Sequence, residues 1–284
     1  MKKTILSLTF LFFTLISFSQ KKIPYVIYNA NGKKVSYKKM LKTISKKELV
    51  LFGESHNNAI AHWLQFEVTS DLHKTNKLIL GAEMFEADNQ TPLNNYLNGN
   101  IKAKELDTLA RLWPNYKTDY KPLVDFAKNN NIKFIATNIP RRYANMVYKK
   151  GFPVLDSLTD KEKSWIAPLP ITFNANLPTY KNILKMMGDH GTPELVMSQA
   201  TKDATMGHFI LENLKENHTF IHYNGSFHSN YYEGILWYVQ LERPEIGYAT
   251  ITTVSQEDVS KLLEEHKNKA DFIICVDDNM TNTY

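Results

Sequence analysis

Two stretches of the chain share the form Gly-x-x-His: Gly53-Glu54-Ser55-His56 and Gly225-Ser226-Phe227-His228. A glutamate two residues from a histidine on a loop can work as a general acid and base pair, or share a metal ion. A single Gly-x-x-His reads equally well as a turn glycine followed by a helix start. Two of them, each just past an apolar run, carry more weight because one sheet would bring both to the same edge. Glu83 follows a third run and Asn138 to Arg142 a fourth. An unpaired carboxylate leaving a buried strand is costly, so Glu83 needs a cation, a metal or a hydrogen-bond donor. Arg141 or Arg142 would supply the cation, and a purely structural Glu–Arg pair is the plain alternative. Asn138 would orient a neighbour or a ligand. Gln199, Asp203 and Met206, spaced by four and three, share one helix face and would line the same crevice. The other histidines lack such a context, although His222 stands inside a strand and reads as a neighbour of the site.

The elements that must position these residues form an α/β pattern, with a mainly parallel central sheet flanked by helices. In such sheets the ligand crevice lies beyond the carboxyl ends of the strands. Asn29-Ala30-Asn31-Gly32 between Tyr25–Tyr28 and Lys34–Ser36 predicts a hairpin. Strands are expected at Glu48–Phe52, Lys77–Ala82, Ile132–Thr137, Thr219–Tyr223, Ile246–Val254 and Asp271–Val276. Helices are expected at Tyr37–Ile44, Asn58–His73 and Lys121–Asn130, from Thr192 to about Asn217, and at Tyr231–Leu241 and Glu257–His266. Pro140 suits the first turn of a helix carrying Arg141 and Arg142. Residues 151–191, punctuated by Pro153, Pro168, Pro170 and Pro178, read as a helical cap inserted into one domain spanning 20–284.

Lys2 and Lys3, the apolar stretch Ile5–Phe18, and Ser17 and Ser19 before Gln20 have the form of a secretory signal peptide over residues 1–19. The expectation is an exported protein, periplasmic or secreted, with no transmembrane anchor in the mature chain. Cys275, the one cysteine in the sequence, sits in the apolar run Phe272–Val276. It leaves no cysteine after the leader for a lipid and predicts a buried strand residue. The net charge is +5. The lysines are scattered or clustered as on a solvated helix face, and no motif with interleaved stacking aromatics speaks for nucleic acid.

Taken together, several motifs resemble those of ChaN-like haem-binding proteins, in a superfamily with erythromycin esterases and Tiki proteases. They are Gly53-Glu54-Ser55-His56-Asn57-Asn58 with His62, Gly81-Ala82-Glu83-Met84-Phe85-Glu86 with Gln90, Asn138-Ile139-Pro140-Arg141, Gln199 to Met206, and Asn224 to His228 with Gly234. The resemblance covers nearly all of the chain after the leader, in order. It implies an α/β fold with a helical cap, a role in iron or haem uptake, and haem held by a tyrosine between the protomers of a homodimer. Tyr116, Tyr120, Tyr143 and Tyr180 are the candidates for that ligand, and a tyrosinate suits ferric haem. Family members are often lipoproteins, from which this chain departs. The alternative is a metal-dependent hydrolase, since the paired Gly-x-x-His motifs resemble those of Tiki proteases. Glu54, His56, Glu83 and His228 would then hold a divalent metal whose water attacks an ester or amide. Without metal, His56 would act as base, as in the esterase relatives, and Arg141 would stabilise an oxyanion. Haem or another small ligand is the expected partner.

Overall fold

The structure, a computed structural model, describes residues 22–284. The leader expected over residues 1–19 lies outside the described residues. Seven strands form one sheet: β1 Tyr25–Asn29, β2 Leu49–Glu54, β3 Lys77–Glu86, β4 Lys133–Asn138, β5 His218–Gly225, β6 Tyr248–Gln256 and β7 Phe272–Asp277. Their spatial order is β1-β7-β6-β2-β5-β3-β4. Every neighbouring pair is parallel except β1 with β7. The helices are α1 Tyr37–Ile44, α2 Ala59–His73, α3 Gln90–Leu97, α4 Ala103–Leu109, α5 Lys121–Asn129, α6 Arg141–Lys150, α7 Asp160–Lys163, α8 Pro178–Met187, α9 Pro193–Asn213 and α10 Ile235–Glu242.

The two-residue period of the strands divides the core. Val50, Phe52, Leu80, Ala82, Ile221 and Tyr223 face α1 to α5, whose Met40, Leu64, Val68, Leu93 and Leu123 cover them. Leu49, Leu51, Ile79 and Phe220 face the other way, against Met206 and Ile210 of α9 and Leu236 and Val239 of α10. Burial on both faces is why these strands read as continuous apolar runs. Cys275 is fully buried in β7, as expected. Among the described residues no helix is long and apolar enough to cross a membrane.

Residues 151–191 contain α7, α8 and short 3-10 turns. They pack on α6 and α9 through Leu155, Leu158, Ile166 and Tyr180. Helix α9 starts at the expected place, with the Thr192 hydroxyl accepting from the Leu195 N–H.

Three expected elements differ. The helix expected at Tyr231–Leu241 begins only at Ile235, because Tyr231, Tyr232 and Gly234 take left-handed φ. The hairpin is reduced to one bridge, Tyr28 with Lys34, because Ser36 caps α1 and ends the second arm. On its other edge β1 pairs with β7. The helix expected at Glu257–His266 is an irregular loop with one 3-10 turn, Glu264–His266. Val259 and Leu262 are buried as a helical pattern would have them. However, Gln256 binds the loop's own backbone, donating to the carbonyls of Asp258 and Lys261 and accepting from the Leu263 N–H. That side chain offers the backbone an alternative to helical bonds.

Candidate functional site

Strands β2, β5, β3 and β4 are adjacent, and their carboxyl ends carry Glu54, Gly225, Glu83 and Asn138. The sheet therefore brings together the segments that the sequence scatters. Glu83 lies within β3 rather than after it, next to a register shift between Ala82 and Glu86.

Glu54 is 1% exposed. Its Oε1 accepts from His56 Nδ1 at 2.9 Å and from the Tyr120 hydroxyl at 2.6 Å, and its Oε2 from Gln65 Nε2 at 2.5 Å. His62 stands beside it, with Nδ1 3.6 Å from Oε2. These partners come from α2 and the turn at Tyr116–Tyr120, and they hold the carboxylate by hydrogen bonds rather than by a full counter-charge. His56 is about one-third exposed, at 35%. Burial pulls its pKa down, but the Glu54 hydrogen bond and the charges of Glu83 and Glu54 outweigh this, so the net shift is upward.

The space for that imidazole exists because residue 225 is glycine. A Cβ there would stand 2.8 Å from both Cε1 and Nε2 of His56. The Gly225 N–H donates to Glu83 Oε2 at 2.7 Å. The other oxygen, Oε1, lies 3.4 Å from His228 Nε2, and His228 Nδ1 meets Asp203 Oδ1 at 2.5 Å. Tyr180, from α8, donates its hydroxyl to Asp203 Oδ2 at 2.8 Å. His228 thus sits between two buried carboxylates. Burial lowers its pKa, but the charges of Glu83 and Asp203 push it up to about 10. Burial raises the Glu83 pKa, yet His228 and His56 hold it well below the usual carboxylate range. His222, buried beneath the site between Thr137 and Asn224, is pushed down to about 4 by desolvation and stays neutral.

Asn138 donates its amide to the Glu83 carbonyl at 2.9 Å, which turns its Oδ1 away from any protein donor. Gln199 Oε1 is likewise buried without a partner. Both residues line a pocket of about 1340 Å³ with His56, Glu83 and His228. Leu112, Trp113, Ile139, Met186, Met187 and Phe227 supply its apolar wall, and Arg141, Lys117 and Lys202 its cations.

The arginine expected to neutralise Glu83 does not do so. Arg142 pairs with Asp88 at 2.6 Å and stacks on Tyr143, while Arg141 is exposed at the pocket and makes no ion pair among the described residues. Both sit in the outward-facing first turn of α6, and His228 takes the role instead. Among the described residues no three His, Cys, Asp or Glu side chains stand in metal-binding geometry. Glu54, His56, Glu83 and His228 form two hydrogen-bonded groups rather than one converging ligand set. The four candidate tyrosines are buried. Tyr120, Tyr143 and Tyr180 commit their hydroxyls to Glu54, Glu162 and Asp203, and the Tyr116 hydroxyl is enclosed. None of them lines the pocket. Sequence reasoning assigned no role to Gln65, offered Tyr120 only as a haem ligand rather than as the partner of Glu54, and treated Asp203 only as crevice-lining. The signal available for Gln65 was its position one helical turn beyond His62 on α2.

A family model described as haem-binding uptake, Tiki superfamily, ChaN matches residues 40–239, more than half of the chain. Among solved structures, the cofacial haem complex of ChaN from Campylobacter jejuni is similar, with TM-score 0.65, 17% identity, and 88% of this chain and 96% of that one covered. An erythromycin esterase mutant in its open conformation has TM-score 0.50 and 10% identity, covering 89% and 97% of the two chains. Both likenesses show the fold. The protein RETICULATA-RELATED 5 of Arabidopsis thaliana chloroplasts is 26% identical over 111 residues, 37% of this chain. The match spans only 15% of that relative's length.

Proposed function

The chain belongs to the family described as haem-binding uptake, Tiki superfamily, ChaN, and from that membership we propose that it binds haem over the strand ends as an exported protein serving iron or haem uptake. The observation that carries the reading is the pocket mouth. Exposed Met186, Met187 and Phe227 border it, at 68%, 44% and 52% exposure, beside the cations Arg141 and Lys202. A flat apolar macrocycle with two carboxylates calls for that combination of apolar wall and cationic rim. A volume of about 1340 Å³ has room for it.

The donor atoms fit a ligand to iron as well. His56 borders the pocket and its Nδ1 is tied to Glu54, the carboxylate–histidine pattern that orients an imidazole towards a metal. Bound haem would supply the iron, in keeping with the haem-binding uptake that the family description names. The exposed apolar rim also suits a second copy of the chain, so that haem would lie between two protomers. Residues 151–191 would act as the cap over this pocket, within one domain spanning 20–284. Export rests on the leader pattern of residues 1–19, and N-terminal sequencing of the secreted or periplasmic protein should begin at Gln20. A titration of the purified chain with hemin, read by absorbance, tests the binding. A saturable spectrum supports it, and only unsaturable, non-specific spectra would overturn it.

Ester or amide hydrolysis is a second reading, favoured by one observation. Each histidine is held at Nδ1 by a carboxylate, His56 by Glu54 and His228 by Asp203. Such a bond fixes the ring so that Nε2 can handle a proton. His56, the more exposed, would be the base, and the cationic His228 with the exposed Arg141 would face a developing oxyanion. Under this reading His56→Ala with His228→Ala abolishes turnover of an ester or peptide substrate. No turnover in the unmodified protein would end it.

A further inference from the structure

A second cavity, of about 880 Å³, shares His56, Met186, Gly225 and Phe227 with the haem pocket but has otherwise separate walls. Its lining includes Thr179 and Lys185 of the cap, Ser255 at the end of β6, and Tyr231, His266 and Lys269. None of these last residues has a role in the site above.

Three independent features of this cavity lack a protein explanation. The first is Lys269. It is partly buried, and its ammonium makes one side-chain contact, with His266 Nδ1 at 3.0 Å. No carboxylate pairs with it among the described residues. An ammonium has three donor hydrogens, so two lack a protein acceptor. Burial pulls the Lys269 pKa down, the direction expected of a cation short of counter-charge. Of the cavity's two carboxylates only Glu265 acts on it, from beyond ion-pair distance and more weakly than burial. Glu54 is saturated by Tyr120, Gln65 and His56. The Glu265 side chain is 73% exposed and stands 3.8 Å from His266 Nε2. His266 is a positioning residue: burial and the charge of Lys269 keep its pKa low, so its neutral Nδ1 accepts from Lys269.

The second feature is Thr179, 4% exposed, whose hydroxyl has no hydrogen-bond partner. A buried hydroxyl left unpaired has lost its water without gaining a partner, which is costly. The third is the backbone of Tyr231 and Tyr232, with φ of 60° and 63°. A left-handed conformation is strained for a residue with a Cβ. The Tyr231 N–H is held by the Lys269 carbonyl at 2.8 Å, which ties the strained turn to the lysine. Strain of this kind persists where the surroundings over-determine it, and it concentrates at ligand sites.

We propose that this second cavity is an oxyanion subsite, taking a carboxylate or phosphate group on Lys269 and Lys185 with the Thr179 hydroxyl as a further donor. The charge-assisted bonds would supply what Lys269 loses by leaving water. Two sources share this chemistry: a separate small oxyanion, or the carboxylate of a larger ligand that reaches past His56 from the haem pocket. The inference does not require that haem be that ligand.

The test is calorimetric titration of the intact purified protein with inorganic phosphate, then acetate, at constant ionic strength set by chloride, with and without saturating hemin. Saturable binding of either anion is expected, weakened at least tenfold by Lys269→Met and measurably by Thr179→Val, and unchanged by Lys150→Met at the exposed end of α6. If hemin blocks the anion and Lys269→Met also weakens hemin, the group belongs to the larger ligand. If both bind together, it is a separate oxyanion. Should Lys269→Met fail to fold, Lys185→Met and Thr179→Val carry the comparison. Absence of saturable anion binding together with an unchanged hemin affinity in the variants, or equal anion affinity across wild type and variants, would overturn the proposal.

Discussion

His228 joins two carboxylates that lie far apart in sequence, Glu83 on β3 and Asp203 on α9, and its protonation is what holds them together. Its folded pKa of about 10 lies above its ordinary 6.5, so its contribution to stability is complete below pH 6.5 and is lost as pH rises towards 10. Glu83 is shifted the other way, and its contribution, present above its ordinary 4.5, is lost as pH falls. His222 adds to the acid side. Its pKa drops from 6.5 to about 4 on folding, so the unfolded chain takes the proton first and acidification across that window costs stability. Urea denaturation should therefore give a maximum near pH 6.5. The alkaline slope should be on the order of 1 kcal/mol per pH unit. His228→Gln should flatten that slope and also weaken the part of the acid limb that Glu83 contributes, leaving the part due to His222, and an unchanged alkaline limb would refute the assignment. Asp203→Ala, which strips a buried pair of one partner, should cost about 3–5 kcal/mol by the same measurement. The four residues Glu54, His56, Glu83 and His228 were legible in the sequence because strand-end residues of a parallel sheet meet at one edge. The partner of Glu83 was not. An arginine after a strand reads the same whether its helix turns it inward or out, and here α6 turns Arg141 and Arg142 to the surface.

The strand ends also set what the loops are allowed to be. Gly225 leaves β5 where the His56 ring passes, and Gly225→Ala would bring a Cβ within 2.8 Å of it. The ring should be displaced from Glu54, with a stability loss of about 1–3 kcal/mol from overpacking. Histidine NMR titration should show the His56 pKa leaving its raised value in the variant, and an unmoved pKa with full stability would show that the glycine is not needed for the ring. The loop after β6 tests a different point. Gln256→Ala should orphan the carbonyls of Asp258 and Lys261 and the Leu263 N–H, costing about 1–3 kcal/mol. Accelerated amide exchange confined to residues 257–266 is the expected sign. Six strands and most of the helices could be read from apolar runs and caps, because burial on both sheet faces and Thr192 or Ser36 at a helix start are local signals. The loop at 257–266 could not, since its bonds come from a side chain outside the segment. The Asn-Gly hairpin is cut short because Ser36 caps α1 directly after its one bridge, while β7 takes the other edge of β1.

Across the molecule, the strand ends and residues 151–191 border a broad pocket whose floor is polar and whose mouth is apolar. The floor holds two histidine–carboxylate groups and the unpartnered oxygens of Asn138 and Gln199. The mouth offers Phe227 and Met186, which are exposed enough that replacing them leaves the core intact. No reading of apolar periodicity would have found this mouth, because exposed apolar residues such as Met186 and Phe227 look like core residues in sequence. The most direct measurement is a hemin titration of the wild-type chain beside a Phe227→Glu, Met186→Glu double variant, with the melting temperature of each recorded. The account predicts saturable binding in the wild type, an affinity at least tenfold lower in the variant, and equal melting temperatures. Unsaturable spectra in the wild type, or equal affinities in the two proteins, would contradict haem binding at the strand-end pocket.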